Sequence, residues 1–229
     1  MRIFILSVLL SLAHLNSKAQ TDTIQIYFRF TFENDPIQFN KYYLINNEDS
    51  LEISALKFYI SNLALLNKEE VVWREDLGYH LIDAAFENTA KLNLTIKKDL
   101  FYDQLSFDLG IDSLTNVSGV MANDLDPSNN MYWTWQSGYI NFKLEGRSNQ
   151  SSARKNEFMF HIGGYQFPFN SLQNVNLKLN QKDSVNIELD LAKLISEMNL
   201  AELDHIMSPS KVAVEMSAGI AKKFQIMRP

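Results

Sequence analysis

The sequence predicts an all-β fold: an antiparallel β-sandwich, immunoglobulin-like or related, with short helical segments near the C-terminus. Three observations predict it. Apolar and polar residues alternate in short runs along most of the chain. Turn-forming residues separate those runs at spacings usual for antiparallel sheets. Helical spacing of apolar residues sets in only after position 190.

The first strand covers residues 23–32, with Ile24, Ile26, Phe28, Phe30 and Phe32 on one face and Gln25, Arg29 and Thr31 on the other. Asn34-Asp35-Pro36 then turns the chain. Residues 55–66 place Leu56, Phe58 and Ile60 together. The phase slips at Ser61-Asn62, because Leu63 and Leu65 continue the apolar set out of step, so a β-bulge is expected there. Short strands follow at 79–83, at 91–96 (Leu92, Leu94, Ile96) and at 104–111 (Leu105, Phe107, Leu109, Ile111). Residues 111–130 are polar and irregular. The next strand, 139–145, aligns Ile140, Phe142 and Leu144. Residues 157–162 align Phe158, Phe160 and Ile162, and Gly163-Gly164 stops them. Residues 174–180 and 184–189 read as a hairpin around 181–183. Leu191, Leu194, Ile195 and Met198 have helical spacing, and a weaker helical run covers 212–224. About nine strands of this kind make one domain, for which a closed barrel is the alternative to a sandwich.

Residues 1–19 read as a secretory signal. Arg2 supplies the basic start, residues 3–12 an apolar run too short to span a bilayer, and Ser17-Lys18-Ala19 a small-residue cleavage site. The expected mature domain is residues 20–229, in the periplasm or outside the cell, with no membrane span left. Loss of Arg2 and Lys18 takes the formal charge from −6 to −8. An acidic chain argues against nucleic acid as partner. With no cysteine, disulfides, thiolate metal sites and cysteine catalysis are excluded. No P-loop, HExxH, GxGxxG or nucleophile elbow is present, so the chain does not read as an enzyme.

Residues 125–146 form the most distinctive stretch. Trp133 and Trp135 flank Thr134 and, on a continuous strand, would share one face. Such a pair is a core or rim plug, or a platform for glycan or protein ligands on a cell-surface binding module. Indole has an N–H donor and no lone pair for a metal, so direct coordination would need an oxidised ring. Beyond the leader the histidines are His80, His161 and His205. His80 and His161 are out of phase with the apolar sets of their strands, and imidazole suits copper or zinc. Met131 lies two residues before Trp133 and Met159 two before His161, and thioether sulfur prefers Cu(I). Met207 and Met216 read as core filler. Asp124, Asp126, Ser128 and Asn130 have the spacing of a calcium loop's start but lack its later Gly and Glu, so an Asx-type turn is the simpler reading.

LDPSNNMYWTWQSGYINFKLEG at 125–146, followed by FHIGGY at 160–165, resembles the MbnP-like family of secreted copper-binding proteins. KFYISNLALL at 57–66, YHLID at 79–83 and FDLGID at 107–112 resemble that family's earlier blocks, in order. The resemblance implies a periplasmic or secreted β-sandwich of copper homeostasis. It also implies a partner, a di-haem cytochrome c peroxidase of the MauG type, that can oxidise a tryptophan to kynurenine, whose aromatic amine and ketone can ligate copper. Carried onto this chain, Trp133 and Trp135 are the candidates for modification and His80 and His161 for ligation; Met131 and Met159 are candidate site-lining residues on their spacing and thioether chemistry alone. The chain departs from the pattern in having no histidine beside Trp-Thr-Trp, and Asn130 where glycine is expected.

Overall fold

Two sheets face each other across one apolar core. The computed structural model describes residues 20–45, 48–136, 138–179 and 184–227. The leader at 1–19 and the turn expected at 181–183 lie outside them. The described strands are β1 (Thr21–Phe32), β2 (Asp35–Pro36), β3 (Tyr42–Ile45), β4 (Asp49–Asn67), β5 (Glu70–Arg74), β6 (Tyr79–Asp83), β7 (Lys91–Lys97) and β8 (Gln104–Leu109), then, after helix α1 (Ser113–Ser118), β9 (Tyr132–Trp133), β10 (Gly138–Ser148), β11 (Glu157–Gly163), β12 (Gln173–Lys178) and β13 (Ser184–Asp190). Helix α2 (Leu191–Ile195), β14 (His205–Ile206), helix α3 (Lys211–Ala221) and β15 (Phe224–Ile226) complete the chain.

The smaller sheet runs β15-β13-β1, with β7 and β2 sharing the far edge of β1. The larger runs β12-β8-β4-β10-β11-β14, with β3, β5 and β6 along the other edge of β4. The predicted alternation holds: Ile24, Ile26, Phe28, Phe30 and Phe32 of β1 meet Leu56, Phe58, Phe107, Phe142, Phe158 and Phe160 of the larger sheet. Phe58 sits at the centre, edge-on to Phe28 and Phe30 and stacked on Phe142. The bulge expected in β4 is present. Its register with β8 shifts between Ser61 and Ala64, and Asn62 takes φ 53°.

Three expectations are corrected. The sandwich is mixed, since β1–β13 and β11–β14 are parallel. Parallel neighbours need a long crossover, and nearly the whole larger sheet lies between β1 and β13 in sequence. The strands expected as a hairpin belong to different sheets, β12 pairing with β8 and β13 with β1. Ile140 also leaves the Phe142/Leu144 face. A register shift between Ile140 and Phe142 turns it outward, into a second cluster with Tyr59, Ile111, Leu125, Met131, Trp133 and Tyr139. That cluster lies under residues 111–133, which fold as a cap over the outer face of the larger sheet. No helix among the described residues is long and apolar enough to cross a membrane.

Candidate metal centre

The outer face of the larger sheet carries the polar row that organises the site. Register places Asp83 (β6), Lys57 (β4), Lys143 (β10) and His161 (β11) side by side. Paired residues point to the same side of a sheet and neighbours along a strand to opposite sides. Phe160 and Ile162 are in the core, so His161 faces outward, as do Met159 and Gly163. Lys57 pairs with Asp83 at 2.8 Å. Lys57 and Lys143 also donate to the carbonyls of Asn129 and Asn130, at 3.5 and 3.2 Å, and so tie the cap to the sheet.

His161 is only 7 % exposed. Its Nε2 lies 2.6 Å from Oε1 of Glu145, which also receives Lys143 at 3.3 Å. The hydrogen bond from His161, helped by the Lys143 charge and opposed by burial, pulls the Glu145 carboxyl down to about 2. In the neutral ring that donates Nε2–H to the carboxylate, Nδ1 is the nitrogen that carries the lone pair.

Trp133 closes the adjoining position. It is 5 % exposed, and its six-membered ring lies against Gly163, the next outward residue of β11 after His161. Its Nε1 is the one buried side-chain polar atom without a hydrogen-bond partner among the described residues. A buried unpaired N–H is costly and calls for an explanation. Trp135 does not share its face. After Trp133 the chain turns, and Trp135 is 65 % exposed, its ring centroid 5.8 Å from that of Trp133 and tilted by 44°. The pair is thus one buried and one presented ring, with no two-ring platform.

His80 is not brought to this site. It pairs with Ile60 on the core-facing side at the sheet's edge, three residues from Asp83 and three strands from His161, a Cα separation of roughly 17 Å on opposite faces. Its Nε2 lies 2.8 Å from Glu75. His161 leaves the apolar set of its strand, as expected, but His80 does not: Ile82 marks the core-facing side of β6 and His80 shares it, so the two imidazoles lie on opposite faces of the sheet. No group of three or more His, Cys, Asp or Glu able to hold a metal forms among the described residues. Met131 is buried in the cap cluster, where its carbonyl accepts from Ile140 N–H at 2.9 Å, and it serves packing. Met159 is outward, beside His161 and in register with Glu145. Sequence reasoning passed over Glu145, which only register with His161 identifies.

The calcium-like spacing resolves as turns. Asp126 accepts from Ser128 N–H at 2.8 Å, and Asp124 is used by Leu81 N–H at 2.9 Å. Asn130 takes φ 59°, a left-handed conformation that asparagine tolerates better than most residues, so it fills the turn where glycine was expected.

For copper the donor set fits on one side only. His161 offers an imidazole and Met159, two residues before it on the same face of β11, a thioether, whereas the pair His80/His161 does not fit.

This two-sheet sandwich with a capped outer face is the architecture of a known class of proteins. The MbnP family matches residues 21–210, and the chain belongs to that family. Its fold is similar to that of the solved structure of MbnP from Methylosinus trichosporium, with a TM-score of 0.59 at 12% identity, covering 90% of this chain and 98% of that one. Among curated proteins none matches the chain.

Proposed function

We propose that this chain is an exported, non-catalytic copper-binding protein of metal homeostasis, with its metal on the outer face of the larger sheet beside Trp133 and His161. One observation carries the reading: a buried indole whose N–H has no partner packs its six-membered ring against Gly163, two residues along the strand from the carboxylate-anchored His161. Membership of the MbnP family and the signal pattern at 1–19 support it.

The reading includes maturation of Trp133 to kynurenine. Two oxygen atoms enter across the C2–C3 bond of the indole to give N-formylkynurenine, and hydrolysis releases the formyl group as formic acid. The oxidant is of the di-haem peroxidase class, which reduces two molecules of peroxide to water in supplying the oxygens. The former indole nitrogen becomes an aromatic amine with a lone pair, at the buried place where Nε1 now has no partner. His161 would then hold copper through Nδ1, with Glu145 fixing its tautomer.

The test is an intact-mass and copper measurement on native, exported protein. Copper near one per chain and a gain of about 4 Da localised to Trp133 are expected. A copper-free protein with both tryptophans intact would overturn the reading, and a gain at Trp135 would move the modified residue. His161→Ala should lose copper, while His80→Ala should not.

A further inference from the structure

Helix α3 carries two stripes. Ala213, Ser217 and Ile220, at helical spacing, are buried, and the Ser217 hydroxyl donates to the Ser171 carbonyl at 2.6 Å, so this stripe fastens the helix to the body of the protein. The adjoining stripe, Val212, Met216 and Gly219, lines a cavity of about 360 Å³ whose other wall is Leu194 and Met198, at the end of α2, and Leu203. Of the two methionines that the sequence suggests as core filler, Met207 is exposed and Met216 borders this cavity.

Gly219 helps to keep the cavity open. Glycine destabilises a helix interior relative to alanine. Neither a left-handed conformation nor a close approach explains it here: Gly219 is helical, and a β-carbon built on it would meet no atom within 4 Å. Met198 and Met216 supply flexible thioether walls that can adapt to an occupant. Apolar walls with a few polar groups, at this volume, are the usual form of a small-molecule site.

The mouth is acidic. Glu197, Glu202 and Glu215 border the cavity and are exposed. Lys223 pairs with Glu197, and Lys211 with Glu215 at 3.3 Å. Among the described residues no ion pair reaches Glu202. Three carboxylates against two ammonium groups leave one negative charge, at the acid without an ion-pair partner. An anion would be repelled there, and a neutral apolar ligand would leave the charge unanswered. Val212, Glu215, Met216, Gly219 and Ile220 lie beyond residue 210, where the family match ends.

We propose that this cavity binds a small amphiphilic amine, with its hydrocarbon between α2 and α3 and its ammonium group at Glu202. The site is independent of the copper reading and stands or falls without it.

The test uses the full mature chain with methyl-labelled methionines observed by NMR, and octylamine as the probe against octanol and octanoate. Octylamine should shift the Met198 and Met216 methyl signals saturably and leave those of Met131 and Met159 in place. Octanol should bind more weakly than the amine, and octanoate should shift none. Glu202→Gln, at an exposed position, should weaken octylamine about threefold and leave octanol unchanged. Gly219→Leu should weaken octylamine about tenfold or more, with circular dichroism showing the fold retained. No shift at Met198 and Met216 would overturn the site, as would an equal shift of all methionine methyls, which marks adsorption to an acidic surface. Octanol or octanoate binding as tightly as octylamine would overturn the choice of a cation. Octylamine affinity unchanged in both variants would place the amine elsewhere and overturn the site.

Discussion

Trp133 and Gly163 are complementary at atomic contact: a β-carbon built on Gly163 would lie 2.7 Å from Cζ3 and 2.9 Å from Cη2 of the indole. The glycine ends the strand that carries His161, so the missing side chain lets a buried indole lie against the backbone beside the histidine.

Gly163→Ala should therefore displace the Trp133 ring. Overpacking of this kind costs about 1–3 kcal/mol. The expected result is a lower midpoint in chemical denaturation, with tryptophan emission shifted to the red as the indole loses its enclosure. An unchanged emission maximum and midpoint would show that the ring is not held there.

The two tryptophans should behave oppositely on truncation. Trp133→Ala empties a packed position and is expected to cost about 3–5 kcal/mol. Trp135→Ala removes an exposed ring and should stay within about 0.5 kcal/mol. Denaturant titrations of the two variants check this directly. Acrylamide should quench most of the emission of Trp133→Phe and less of that of Trp135→Phe, read against the third tryptophan, Trp73.

The strands that face the core were legible because a half-buried strand writes its burial into alternation, as residues 23–32, 104–109 and 157–162 show. The β4 bulge was legible for the same reason, since a slip in phase appears in the sequence at Ser61-Asn62. Pairing partners were not legible. Nothing local in residues 184–189 says that they run parallel to β1, because register is fixed by contacts across the sandwich. The outward turn of Ile140 was hidden too, since a bulge opposite a regular strand leaves the alternation of Ile140, Phe142 and Leu144 intact. The aromatic half of the site could be read from Trp133 and its neighbours. Its imidazole half was only partly legible. The outward phase of His161 was visible, but Tyr79 and Leu81 look like the inward set of β6 and instead pack under the cap, which leaves Ile82 and His80 on the core side.

Acid should loosen the cap through Asp112. Asp112 caps α1 by accepting from Thr115 N–H at 2.9 Å, and it also accepts from the Thr115 hydroxyl at 2.8 Å and the Tyr79 hydroxyl at 3.0 Å. Burial alone would raise its carboxyl, but these hydrogen bonds outweigh burial and hold it below its ordinary value of 3.8. A depressed carboxyl stabilises the fold fully above the unfolded value and loses that contribution as pH falls through 3.8 toward the folded value. Hydrogen exchange in residues 111–125 should accelerate below about pH 4. Asp112→Asn should keep most of the cap and lose this acid dependence, whereas Asp112→Ala should cost about 0.5–2 kcal/mol at neutral pH.

Two tyrosines hold the rest of the cap. Tyr59 of β4 donates to the Asp124 carbonyl at 2.8 Å, and the Tyr139 hydroxyl of β10 lies 3.1 Å from the Leu125 carbonyl and accepts from Met121 N–H at 3.2 Å. Their rings meet edge to face with centroids 5.8 Å apart. Both reach outward from the point where β10 and β8 part along β4, so they link the sheet to the segment that leads into Trp133. Removing either hydroxyl strands buried backbone groups, at about 1–3 kcal/mol each. Tyr59→Phe and Tyr139→Phe should each speed amide exchange in residues 119–125 with little effect on β1 or β13. Because the rings touch and serve one segment, the double variant should cost less than the sum of the singles. Additive losses, or exchange that rises equally in the smaller sheet, would show that the cap and the sandwich unfold as one unit.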